Sequence, residues 1–191
     1  MKNFSPSTIL ELTCRLYVFF FLNIYGFAKL FGGQFYTPDS MPAEVGALTL
    51  ADAPNFELAW VFMGRSFGYL LFIGLGEIIG AWLLLFNKTK LLGGLILGVI
   101  MTNVIVFDVF FLDAYGALAS ASVYYVMLIY IAYFNREEVM GAFKHLLPAK
   151  REGNRIFTRK NMMLFVSAVA LAAVIFLFDQ LLVNWFGHGK G

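Results

Sequence analysis

Four residues sit well inside otherwise apolar runs of this chain and could do chemistry there: Lys29, Glu77, Asp108 and Asp179. An acidic or basic residue at mid-span costs about 2.5 to 3.5 kcal/mol on insertion scales, so four unpaired ones would cost on the order of 10 kcal/mol. They are therefore expected to face one another or water. Lys29, Asp108 and Asp179 each fall near the same end of their runs, as does Arg65, while Glu77 lies near the middle of its own. This grouping predicts a polar pocket opening toward one side of the membrane. Lys29 has a stem long enough to snorkel to headgroups instead, and Asp108 could cap a helix end. A short carboxylate at the depth of Glu77 has no such escape, which makes it the strongest single candidate. Burial disfavours its charged form and a neighbouring Lys29 or Arg65 favours it.

Uncharged candidates for the same lining are Tyr25, Tyr69 and Asn103, with Tyr124, Tyr125 and Tyr130 as further tyrosines of similar placement. At 100° per residue, Glu11, Arg15, Val18, Leu22, Tyr25 and Lys29 fall on one stripe that is polar at both ends and apolar between. Asp179 shares a face with Ala168 and Ala172, a small-xxx-small pair suited to close helix contact. Gly64/Gly68, Gly76/Gly80 and Gly94/Gly98 are three GxxxG pairs expected to serve packing. Other chemistries are excluded. Cys14 is the lone cysteine, so there is no intrachain disulfide and no CxxC redox pair, and His145 and His188 lie outside the apolar runs, so neither a bis-histidine haem in the membrane nor a clustered metal site is expected.

The elements that must position these residues are membrane spans. Of 191 residues 60% are hydrophobic and only 14% charged, against roughly 25% in soluble domains. Five segments have about the 20 mostly apolar residues a spanning helix needs: 9–31, 60–86, 91–112, 115–134 and 162–186. Lys2 and Arg15, Lys88 and Lys90, and the seven basic residues from Arg136 to Lys160 fall on one side, whereas the connection from Gly32 to Ala59 has four carboxylates and no Lys or Arg. Cytoplasmic loops carry the basic excess, so the N-terminus is expected inside and the C-terminus outside. Trp60 and Trp185 near the outer boundary and Trp82 near the inner one suit an interfacial belt. The small net charge of +2 gives nucleic-acid binding no support, and partners are expected in the lipid bilayer.

Three further expectations concern organisation. Asn55 is placed to cap a helix running from Phe56 to Phe86, about 46 Å long, whose first two turns would protrude from the hydrocarbon. Residues 135–147 suit a helix lying at the inner surface, followed by an exposed linker from Pro148. The chain divides into a four-helix core, 1–135, with an outer connection at 32–59; a basic cytoplasmic linker with its surface helix, 136–161; and a fifth helix with a short tail, 162–191. No internal repeat is evident.

Helix one ends in Tyr25-Gly26-Phe27-Ala28-Lys29-Leu30, and the second span contains Gly76-Glu77-Ile78-Ile79-Gly80-Ala81-Trp82, followed by a short basic turn. Over roughly residues 9–135 this resembles the DoxX-like family of small multi-pass bacterial membrane proteins, with a Gly-x-x-Lys ending to helix one and Glu-x-x-Gly in helix two. The long outer connection and the fifth helix depart from the four-helix members. The resemblance implies an all-α inner-membrane protein with Lys29 and Glu77 as the matching site positions. It also implies an accessory or anchoring role beside a redox protein partner, with a quinone as the cofactor that such a pocket would take. Two readings compete with it: a small proton- or cation-coupled carrier built on Glu77, and a structural assembly protein whose buried charges set helix register. Homo-oligomers are open in all three, and a catalytic step in this chain alone is not expected.

Overall fold

The structure is a computed structural model that describes residues 5–112, 115–146 and 159–186. Among these every regular element is a helix. Helix α1 (Pro6–Leu30) begins where the Ser5 hydroxyl accepts the Thr8 N–H at 3.3 Å, with Pro6 preset at the first helical position. It stops at Gly32, whose φ of +73° a side chain would resist. The Gly33 N–H then closes onto the Ala28 carbonyl at 2.7 Å, the bond that ends a helix with a left-handed residue. The chain turns back through a connection containing α2 (Ala43–Gly46) and enters α3 (Asn55–Gly64) and α4 (Phe67–Leu85). Helices α5 (Lys90–Phe111), α6 (Tyr115–Phe134), α7 (Arg136–Leu146) and α8 (Arg159–Phe186) follow.

The single helix expected over 56–86 is broken at Arg65 and Ser66. Gly64 lies so close to the returning connection that a Cβ there would stand 2.1 Å from the Tyr36 carbonyl oxygen. Ser66 leaves helical geometry (φ −119°, ψ 107°), and its hydroxyl accepts the Tyr69 N–H at 3.3 Å to start α4 afresh. Asn55, expected as a cap, is instead the first helical residue, after Pro54.

Helices α1, α4, α5 and α6 are long and apolar enough to cross a membrane. They form a closed ring in which α1 packs on α4, α4 on α5, α5 on α6, and α6 back on α1. Cross-helix contacts run in opposite directions at the α1–α4 and α4–α5 seams, so these neighbours are antiparallel: Gly26 meets Gly74 while Arg15 reaches Leu85, and Gly80 meets Leu97 while Gly93 meets Leu84. Lipid tails are as apolar as leucine, so close packing and polar contacts hold such a bundle. The glycines serve that packing, though not in the pairs expected. Gly26 and Gly74 abut across α1 and α4, where a Cβ on either would lie 2.9 Å from the other's carbonyl oxygen. Gly80 and Gly93 bring α4 against α5, whereas Gly98 has open space and Gly94 only a distant Leu84 methyl. Val18, Leu22, Leu84 and Leu97 fill the axis, and Phe20, Phe72, Leu95 and Val126 point outward, as lipid-facing side chains do.

At the end of the bundle remote from Lys29, a polar cluster ties the four helices. Arg15 donates to the Leu85 carbonyl and to Asn87 Oδ1, both at 2.6 Å, and stands 3.5 Å from Glu11. Asn135 Nδ2 donates to Glu11 at 3.4 Å, and Lys90 donates to Asn135 Oδ1 and pairs with Glu138 at 3.7 Å. The Leu85 carbonyl is one of those a helix C-terminus leaves without an intrahelical donor, and a guanidinium suits the negative end of the helix dipole.

The chain divides into two compact units, Met1–Phe143 and Lys144–Gly191. Helix α7 matches the expected surface helix in extent, with Met140 and Phe143 exposed beside Glu137 and Lys144. In the second unit α8 runs for 28 residues, and its apolar stretch Phe165–Phe178 has every side chain exposed.

Candidate functional site

Lys29 and Glu77 meet inside the bundle. The Lys29 ammonium donates to both carboxylate oxygens, at 2.8 and 2.7 Å, and the two residues are 5% and 1% exposed. The approach of Gly26 to Gly74 makes this possible. Because α1 and α4 run antiparallel, Lys29 and Glu77, each three residues past its glycine, stand on either side of that tight backbone contact, and each side chain leans toward its own helix N-terminus and so toward the other. With four helices around it, the pair has the charge-assisted, two-pronged geometry that a buried ion pair requires.

The pair forms part of the wall of a partly enclosed cavity of about 130 Å³. Aromatic rings make much of the remainder. Tyr25 and Tyr124 stand 6.2 Å apart between centroids, with the Lys29 ammonium 5.9 Å from the Tyr25 ring. Trp60 of α3 stacks on Phe56 at 4.1 Å and leans on Phe35 at 5.1 Å. Phe107 completes the wall on α5. An apolar cavity of roughly 150 Å³ accepts benzene, so this one has room for a single six-membered ring.

Asp108 also lines the cavity; it is 5% exposed and has no side-chain partner among the described residues. Gln34, from the turn after Gly32, lines the cavity too, and its Oε1 is buried without a partner. Asn103 lies on the cavity with an exposed side chain.

Of the residues expected to share a site, the structure brings together Lys29, Glu77, Asp108, Tyr25 and Asn103. Arg65 and Tyr69 do not join them. The helix break at Ser66 turns both to the surface, and Arg65 borders a separate groove against Glu57 and Thr49. Asp179 lies on α8, and its side chain is outside the described residues. Tyr124 is on the cavity; Tyr125 and Tyr130 are not, and Tyr130 instead reaches the Ser7 carbonyl at 3.4 Å. Sequence reasoning missed Gln34, Phe35 and Phe107, and it took Trp60 for a lipid anchor although Trp60 is a half-buried cavity wall. The run of Gln34, Phe35 and Tyr36 directly after a Gly pair was the available signal. Among the described residues no group of three His, Cys, Asp or Glu could hold a metal ion.

The fold and site together define a helical protein with four helices suited to crossing a membrane and a ring-sized cavity between them, with a buried lysine–glutamate pair in its wall. The chain is 35% identical over 132 residues to the uncharacterized protein YwoB of Bacillus subtilis, a match spanning 69% of this chain and 80% of YwoB. It belongs to the same family as that protein. No family model matches the chain, and no solved structure matches it.

Proposed function

We propose that this protein is a DoxX-like subunit of the bacterial cytoplasmic membrane that binds a quinone, or a lipophile with a similar ring head, between its spans and serves a redox partner. The observation that carries this reading is the Lys29–Glu77 pair in an aromatic cavity the size of one ring. Two of the three Lys29 N–H groups are donated to Glu77, leaving one for a ring carbonyl. Carboxylate and ammonium groups at such an oxygen suit the proton movements that accompany quinone reduction. The electrons, in this reading, come from or go to a partner protein. In this reading α8 is a fifth transmembrane helix, the N-terminus is cytoplasmic, and the cavity opens to the outer side, because the basic residues collect on the opposite face.

The test is gentle solubilisation of the full chain, extraction of what co-purifies, and identification of its lipophiles and proteins. A quinone retained by the native chain and lost in a Lys29→Met variant is expected. Repeated absence of any ring lipophile, with no binding on addition, would reject the reading. A second reading, a cation-coupled carrier, draws on Asp108 as a carboxylate in the cavity beyond the one that Lys29 neutralises. It requires flux in reconstituted vesicles that Glu77→Gln abolishes.

A further inference from the structure

Two acceptors on the cavity wall lack a donor among the described residues. Lys29 and Glu77 satisfy each other, whereas Asp108 and Gln34 line the same space, and neither the Asp108 side chain nor the buried Gln34 Oε1 accepts a hydrogen bond from a described residue. A buried carboxylate left without a donor is costly, and such groups in folded proteins have a partner, either from the protein or from something bound. An organic cation would satisfy Asp108. It would, however, leave the remaining Lys29 N–H on the same wall without an acceptor. A neutral hydroxyl has no such conflict.

From this we infer that the ligand is a hydroxylated ring, a phenol or the hydroquinone form of a quinone, whose O–H is donated to Asp108, with Gln34 as the second acceptor. The inference rests on the binding reading above and deepens it, because it names the redox form that the site prefers. The oxygen at the opposite ring position accepts the remaining Lys29 N–H, so one head group uses both polar walls. The quinone has two acceptors and no donor, and it leaves Asp108 unmatched. Matching the otherwise unpartnered Asp108 then favours the quinol by about tenfold.

The experiment uses the full chain in lipid nanodiscs and follows quenching of tryptophan fluorescence, with Trp60 as the cavity reporter. Two probe pairs differ only in the donor: a decyl benzoquinol under anaerobic conditions against its benzoquinone, and 4-hexylphenol against its methyl ether. The hydroxylated member of each pair is expected to bind at least tenfold more tightly. Asp108→Asn is expected to narrow that gap, and Gln34→Leu to narrow it less, with circular dichroism confirming that both variants are folded. The comparison within the native chain needs no variant, so a misfolded substitution does not blunt it. Equal binding within both pairs overturns the inference and leaves the binding reading standing. Failure of all four probes to bind overturns the binding reading and the inference with it. Binding of phenethylammonium, a one-ring cation, that displaces the quinol and is lost in Asp108→Asn overturns the inference in favour of an organic cation.

Discussion

At the scale of single residues, the buried pair is the most exposed to mutation. Glu77→Gln leaves the Lys29 ammonium without its counter-charge at 5% exposure, and about 3 to 5 kcal/mol of destabilisation is expected. Replacing both, as Lys29→Met with Glu77→Leu, should restore most of that stability while removing ligand binding. Thermal unfolding of the three variants in nanodiscs checks this; a double variant as unstable as the single one would contradict it. Arg15 is a second such position, because its guanidinium serves Leu85, Asn87 and Glu11 together. Arg15→Lys is expected to cost about 2 kcal/mol, since a point ammonium cannot reproduce the fork, and unfolding measurements again read it. That Glu77 needs a partner was legible in the sequence, because a short carboxylate at mid-span must find one inside the protein, whereas the choice of Lys29 over Arg65 was set by the helix break at Ser66. Gln34 and Phe35 were not legible, because their place depends on the positive φ of Gly32 and on contact between Tyr36 and Gly64, neither of which leaves a periodic trace.

At the scale of elements, the seam between α1 and α4 decides whether the site exists. A Cβ on Gly74 would lie 2.9 Å from the Gly26 carbonyl oxygen, so the backbones have no room to give. Gly74→Val is expected to cost about 1 to 3 kcal/mol and to weaken the energetic coupling between Lys29 and Glu77. A double-mutant cycle on the pair, run in the Gly74→Val background, measures that coupling. Helix limits were largely readable from hydropathy: the span expected at 115–134 is α6, and those at 9–31 and 91–112 are α1 and α5 within a few residues. The break between α3 and α4 was hidden, because Arg65 and Ser66 interrupt the apolar run too briefly to register in a window, and the cause lies in a distant segment pressing on Gly64.

At the scale of the whole molecule, the orientation proposed from charge can be read with the protein's own chemistry. Cys14 is the lone cysteine and is 6% exposed, so a new surface thiol labels against a low background. In intact cells a membrane-impermeant maleimide is expected to label Ser40→Cys in the connection after α1, and to label Lys88→Cys in the α4–α5 turn only after the membrane is opened. The reverse pattern would invert the topology and place the cavity mouth in the cytoplasm.

The polar cluster around Arg15 and the leucine layer above it settle how traffic through the bundle can proceed. Val18, Leu22, Leu84 and Leu97 are each no more than 1% exposed, and beneath them Arg15, Glu11 and Asn135 bind the remaining gap shut. Among the described residues the chamber thus has a sealed floor opposite its doorway. Along the axis of these four helices the described side chains leave no open path from the cavity to the Arg15 end. A molecule could be passed across only if that floor came apart, whereas it could be held, and handed to a neighbour at the doorway, with the floor intact.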